Sequence, residues 1–242
     1  MLDAIFIEKV NDLAKVEKIE VTGRPYTTKQ IHPVMEPTVT PLALHTLTGV
    51  VDFCADFFAV MGAPPFVCHV VSDQQVDVIS RLYGPFNQRE KYATSSPFKL
   101  EHRFDRYMPV EDFVIYLQSM FVQDEAALQV LKVVGNLTQG SETNVADDGI
   151  TQRVTAKAGV ARVAVVDLPN PVTLRPYRTF PDIEQPASKF VLRIKADKED
   201  GPRCALYEAD GGAWRTGAVA TIKEFLEGRL EDELGSGPWV IA

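Results

Sequence analysis

Five prolines fall within 18 residues of this chain: Pro169, Pro171, Pro176, Pro181 and Pro186. Each proline locks φ and removes a backbone donor, so no helix forms across this stretch. Proline is also kept out of central strands, where every N–H is needed for the ladder. The segment must therefore run as an extended edge or a crossing arm. It is too long and too apolar to lie free in solvent, and packing on a second copy of the chain would cover it. Pro171, Pro176, Tyr177 and Pro181 are the candidate contacts.

Periodicity supplies the elements around that arm. Leu2, Ile5, Phe6, Val10 and Leu13 recur at helical spacing with charges between them, which predicts an amphipathic N-terminal helix. Ile19, Val21 and residues 26–28 predict two short strands around Gly23. Thr46 is a plausible N-cap for a helix whose stripe is Leu47, Val50, Val51, Cys54, Phe57 and Phe58. Residues 66–71 and 76–79 read as a β-hairpin across a polar turn. Pro109 suits the first turn of a third helix. Asp124 caps a fourth, with Gly135 just past its end. These two helices form a central hairpin.

Near residue 138 the period changes to β-type alternation around Asp148-Gly149, a strong hairpin signal. Residues 160–168 read as one buried strand, and residues 189–197 and 203–210 as a further hairpin. Gly211 and Gly212 lead into a last helix carrying Ala218, Ile222, Phe225, Leu226 and Leu230 inward. Trp239, Val240 and Ile241 read as a short terminal strand. The predicted class is α+β: an antiparallel β-sheet core with an N-terminal helix, a central helix–helix hairpin and a C-terminal helix. A helix-rich part over 1–137 would precede an antiparallel β-rich part over 138–242, or the two would form one continuous domain.

Composition excludes several classes. Hydrophobic residues make up 45% and charged residues 24%, so the chain is neither disordered nor low-complexity. Three cysteines, Cys54, Cys68 and Cys204, cannot build a disulfide framework. No apolar run approaches the ~18–20 residues of a membrane helix. Asp3 and the lack of a positive leading region argue against a secretory signal, so a cytoplasmic location is expected.

The search for chemistry finds fragments. None of the four histidines forms a metal-ligand spacing. Cys68 and His69 are neighbours in a strand and point to opposite faces. Phosphate-loop and serine-hydrolase motifs are absent. Asp147 and Asp148 at one turn, with Glu208 and Asp210 at a strand end, could converge on Mg²⁺ or Mn²⁺ for hydrolysis. Pro181-Asp182 is similar to the opening of a nuclease motif, whose following Glu/Asp-x-Lys is missing here. Such acid-and-glycine clusters are also ordinary turn chemistry. Residues 81–107 interleave aromatics with Arg81, Arg89, Lys91, Lys99, Arg103 and Arg106. That stretch has a local balance of +3 in a chain of −8. Together with Tyr92 these cations are the parts of a single-strand nucleic-acid binder, although the chain is acidic overall.

The segments DDGITQRV, PNPVTLRPYRTF, PDIEQPASKFVLRI and LYEADGGAW resemble a family of uncharacterised bacteriophage and prophage proteins. The resemblance spans most of residues 40–230 and is strongest over 145–227. It implies a protein made in the cytoplasm of an infected bacterium. It supplies no catalytic residues and no cofactor. The expectation is a non-enzymatic homo-oligomer with a structural or accessory role. Leu2, Ile5, Phe6 and Trp239 join the arm prolines as contacts, since both ends carry apolar residues. A single-stranded nucleic acid is the alternative partner, and a membrane is not expected.

Overall fold

The computed structural model describes residues 4–21, 24–27, 38–61, 66–84, 87–139, 142–147, 151–158, 161–162, 166–197, 201–235 and 239–242. These residues form an α+β fold in two compact units, Met1–Thr38 and Val39–Ala242. The first unit holds α1 (Ala4–Ala14) and an antiparallel hairpin of β1 (Lys18–Val21) and β2 (Arg24–Thr27), as the apolar spacing predicts.

The second unit has two cores. One is built on the sheet β15-β4-β5-β6-β3, made from β3 (Leu42–Leu44), β4 (Phe66–Ser72), β5 (Gln75–Ser80), β6 (Lys91–Ser95) and β15 (Trp239–Ile241). β4 and β5 form the expected hairpin. β15 runs parallel to β4, and β3 runs parallel to β6. The inward face, including Phe66, Cys68, Val76 and Val78, packs with α2 (Leu47–Met61) and α5 (Trp214–Leu234). Leu47, Val50, Val51 and Cys54 from α2 meet Ile222, Leu226 and Leu230 from α5. Each set is a helical stripe, so each helix buries one side.

The other core uses the antiparallel sheet β12-β13-β14-β7: β7 (Met108–Pro109), β12 (Val172–Leu174), β13 (Ser188–Asp197) and β14 (Gly201–Glu208). The central helix hairpin, α3 (Val110–Met120) and α4 (Glu125–Gln139), packs on it through Phe113, Leu117, Val130, Val133 and Val134. Phe121, between the two helices, makes edge-on contacts with Tyr116 and Phe190. Asp124 Oδ1 caps α4 through the Ala127 N–H at 2.9 Å. A further sheet places β8 (Glu142–Asp147) on one side of β9 (Thr151–Ala158), and β10 (Ala161–Arg162) and β11 (Val166–Pro169) on the other.

One expectation is corrected. α4 does not stop at Gly135 but continues to Gln139. A glycine inside a helix costs only about 1 kcal/mol, and Gly135 keeps helical geometry instead of the positive φ that a terminating glycine would take. Of the strand expected over 160–168, residues 161–162 and 166–168 are described and both pieces pair with β9, while the rest lies outside the described residues. Of the two arrangements left open, a division at 137/138 and one continuous domain, residues 39–242 cluster as one compact unit. β15 belongs to the sheet of β4–β6, and β7 pairs with β14.

The apolar residues Val172, Leu174, Phe180 and Ile183 of the proline-rich arm are covered by their own chain. Val172 and Leu174 enter the core under α3 and α4, whereas Phe180 and Ile183 enter the core under α2 and α5. The arm therefore crosses from one core to the other. Before β12, the Asn170 side-chain Oδ1 takes the place of a ladder carbonyl and accepts from the Leu192 N–H at 3.0 Å. Past β12, the Val122 and Tyr177 N–H groups donate to the carbonyls of Arg175 and Met120, at 2.9 Å each. The arm forms an edge without a continuous ladder, as its prolines require.

Candidate functional site

The densest polar cluster lies where the arm passes between β13, β14 and the start of α5. Arg178, on the arm, is 7% exposed. Its Nη1 donates to Glu208 Oε1 at 2.6 Å, and its Nη2 donates to Ser188 Oγ. Ser188 Oγ in turn donates to Asp210 Oδ2, and Asp210 Oδ1 accepts from the Gly212 N–H at 3.0 Å. The guanidinium stacks 3.7 Å from the centroid of the Trp214 indole. Gly211 and Gly212 adopt φ of 61° and 80°, the left-handed turn that lets the Asp210 carboxylate reach the Gly212 amide. Burial pulls the Arg178 guanidinium below the ordinary arginine range, and Glu208 and Asp210 oppose that shift. For Asp210, burial works against the charge, but Ser188, the Gly212 amide and Arg178 hold its carboxyl below the usual carboxylate range.

His102 closes one side. The Tyr177 carbonyl can only accept, so Nε2, 2.9 Å away, carries the proton. Nδ1 then accepts from the Tyr116 hydroxyl at 3.1 Å, and that oxygen accepts from the Arg103 N–H at 3.1 Å. Burial is the main cause of the lowered His102 pKa, which favours the neutral ring. Burial likewise pushes the Tyr116 phenol up to about 12. A cavity of about 320 Å³ opens beside the cluster. Of the polar heads that line it, Gln74, His102, Glu208 and the two Arg178 Nη atoms are engaged by the chain's own groups, while Arg178 Nε is buried without a hydrogen-bond partner among the described residues. The cluster is built to hold the arm in place.

Glu208 and Asp210, read from sequence as metal ligands, thus compensate a buried arginine. Asp147 ends β8, and Asp148 lies outside the described residues. Among the described residues, no group of three His, Cys, Asp or Glu side chains is placed to hold a metal ion. Asp182 has a role of its own at the start of α2. Its carboxylate accepts from the Leu47 and Thr48 N–H groups, both at 3.0 Å, and from the Thr48 hydroxyl at 2.7 Å. Thr46 Oγ1 accepts from the Gly49 N–H at 3.0 Å, as its capping position predicts. Cys54 and Cys68 are buried with their sulfurs 3.9 Å apart, and His69 is exposed on the opposite face of β4.

The basic stretch is dispersed. Lys91 is tied to the buried Asp77 at 2.6 Å. Tyr92 packs inward, its ring 4.8 Å from that of Phe57. Arg103 lines a cavity beside Tyr116 and Asp112. Lys99 and Arg106 are exposed. Only Arg81 and Arg89 meet, across one open groove on the outer face of β15, β4 and β5.

The proposed contacts also divide. Pro176 is buried and bridges to Phe121, so it has no surface to offer a second copy. Pro171 and Pro181 are exposed, as is Tyr177. Trp239 is half-buried in β15, whose pairing with β4 docks this end within the chain. Leu2 lies outside the described residues. α1 buries none of its residues: Ile5 is 72% exposed, Phe6 56% and Leu13 70%. Sequence reasoning missed Arg178. The available signal was a lone cation between Tyr177 and Phe180 in an arm that had to be covered.

Compared with family models, curated proteins and solved structures, the chain matches none.

Proposed function

We propose that the chain is a non-enzymatic protein that works as a homo-oligomer, assembling through the apolar face of α1. What supports the reading is that α1, 11 residues long, buries nothing. An isolated helix shorter than about 12–15 residues is marginal in water, and most helices are stabilised by packing an apolar face. Phe6, Val10 and Leu13 lie on one side of α1, flanked by Ile5 and Ile7. Glu8, Asn11, Asp12 and Lys15 occupy the other side. α1 carries Glu8, Asp12 and Lys9, and Lys15 just past its end pairs with Asp12 at 2.7 Å, so little net charge opposes the approach of a second apolar face. The setting in an infected bacterium rests on the resemblance over 145–227.

Light scattering after gel filtration at micromolar protein tests this. The expected mass is a multiple of 26.8 kDa for the wild type and one chain for a Phe6→Glu/Leu13→Glu variant. A wild type that runs only as a single chain overturns the proposal.

A further inference from the structure

The outer groove on β15, β4 and β5 has features that self-assembly through α1 does not use. Val67, Ile79, Leu82 and Val240 form its floor, and Arg81, Arg89, His69 and Ala242 complete its lining, around a volume of about 830 Å³. Strand alternation explains the floor, because Cys68 and Val78 point into the core while their neighbours point out. Leu82 and Val240 are 56% and 42% exposed.

The rim follows from the hairpin between β5 and β6. Ile79 is paired with Lys91, and the Ser80 N–H donates to the Glu90 carbonyl at 2.8 Å. Tyr83 and Gln88 then exchange two backbone hydrogen bonds, closing the turn. Arg81 and Arg89 are thereby held on facing arms of one hairpin. Lys91, the next cation along, is neutralised by Asp77. Among the described residues, neither Arg81 nor Arg89 has a carboxylate within ion-pair distance; Arg89 has only a 3.4 Å contact to the Ser80 carbonyl. Two like charges facing each other across a hairpin destabilise it, and an anion between them removes the repulsion. An apolar floor with a few convergent polar groups, in this size range, is the usual make-up of a small-molecule site.

We propose that this groove binds an anion on an apolar body, with a carboxylate or phosphate head between Arg81 and Arg89 and an aliphatic or aromatic body over Val67, Ile79 and Val240. Calorimetric titration of the full chain tests this, using decanoate, decyl phosphate, decanol and inorganic phosphate below their aggregation concentrations. Decanoate or decyl phosphate should bind saturably, and the tighter of the two identifies the head group. Decanol, which lacks the charged head, and inorganic phosphate, which lacks the apolar body, should each bind at least about tenfold more weakly. Arg81→Gln/Arg89→Gln should weaken the anion about tenfold or more without changing the circular dichroism. Val240→Glu should do the same from the floor. The Phe6→Glu/Leu13→Glu variant should bind as the wild type does, which separates this site from the α1 interface. Equal binding by decanol, equal binding by phosphate, no binding at all, or indifference to the arginine substitutions overturns the proposal. So does displacement of decanoate by a single-stranded oligonucleotide, which would assign the groove to nucleic acid.

Discussion

At the scale of single residues, the arm is held by side chains that act far from their place in the chain. Asp182 caps α2 from 134 positions beyond Thr48. Burial works against its charge, but the Thr48 hydroxyl and the Thr48 and Leu47 amides outweigh it and hold the carboxyl below its usual range. The unfolded chain therefore binds this proton first as pH falls. The stabilisation is complete above the ordinary carboxylate pKa of about 4 and is lost as pH drops through the lower folded value. Asp182→Ala should cost about 1–2 kcal/mol at pH 7, the scale of a lost cap. The gap to wild type in urea midpoints should narrow below pH 4, whereas a gap independent of pH would remove the charge from the explanation. Thr46 was legible as a cap because its partner is three residues away. Asp182 was not, since its turn-like surroundings name no partner.

At the scale of elements, apolar spacing located the five described helices, because a 3.6-residue stripe is a local property. Ends and short strands were less legible. β3 is three residues long and gains its place by pairing with β6. Glycine marks an end only when the backbone needs φ above zero. Gly228 lies on the exposed side of α5, with open space where a Cβ would stand, whereas Gly211 sits at φ 61°. Gly228→Ala should therefore stabilise the chain by about 0.5–1 kcal/mol and raise Tm by about 2 °C. Gly211→Ala should destabilise it by about 1 kcal/mol. Thermal melts of the two variants read opposite signs; the same sign for both would contradict the conformational argument.

At the scale of the whole molecule, the arm links the two cores of residues 39–242. Phe180 is fully buried in one core, and six residues earlier Leu174 is fully buried in the other. Phe180→Ala should cost about 3–4 kcal/mol. Calorimetry should show both cores melting in one transition at a lower temperature, and two separated transitions would mean that the arm does not couple them. By itself the sequence determined where the helices and the longer hairpins form, that the prolines bar a helix from the arm, and that the arm's apolar residues need cover. Only the tertiary structure decided what covers them, that β15 joins β4, and that Glu208 and Asp210 face a buried arginine. The reason is that dihedral limits and periodicity act over a few residues, whereas hydrophobic burial is non-directional. It marks a face as needing a partner without naming that partner.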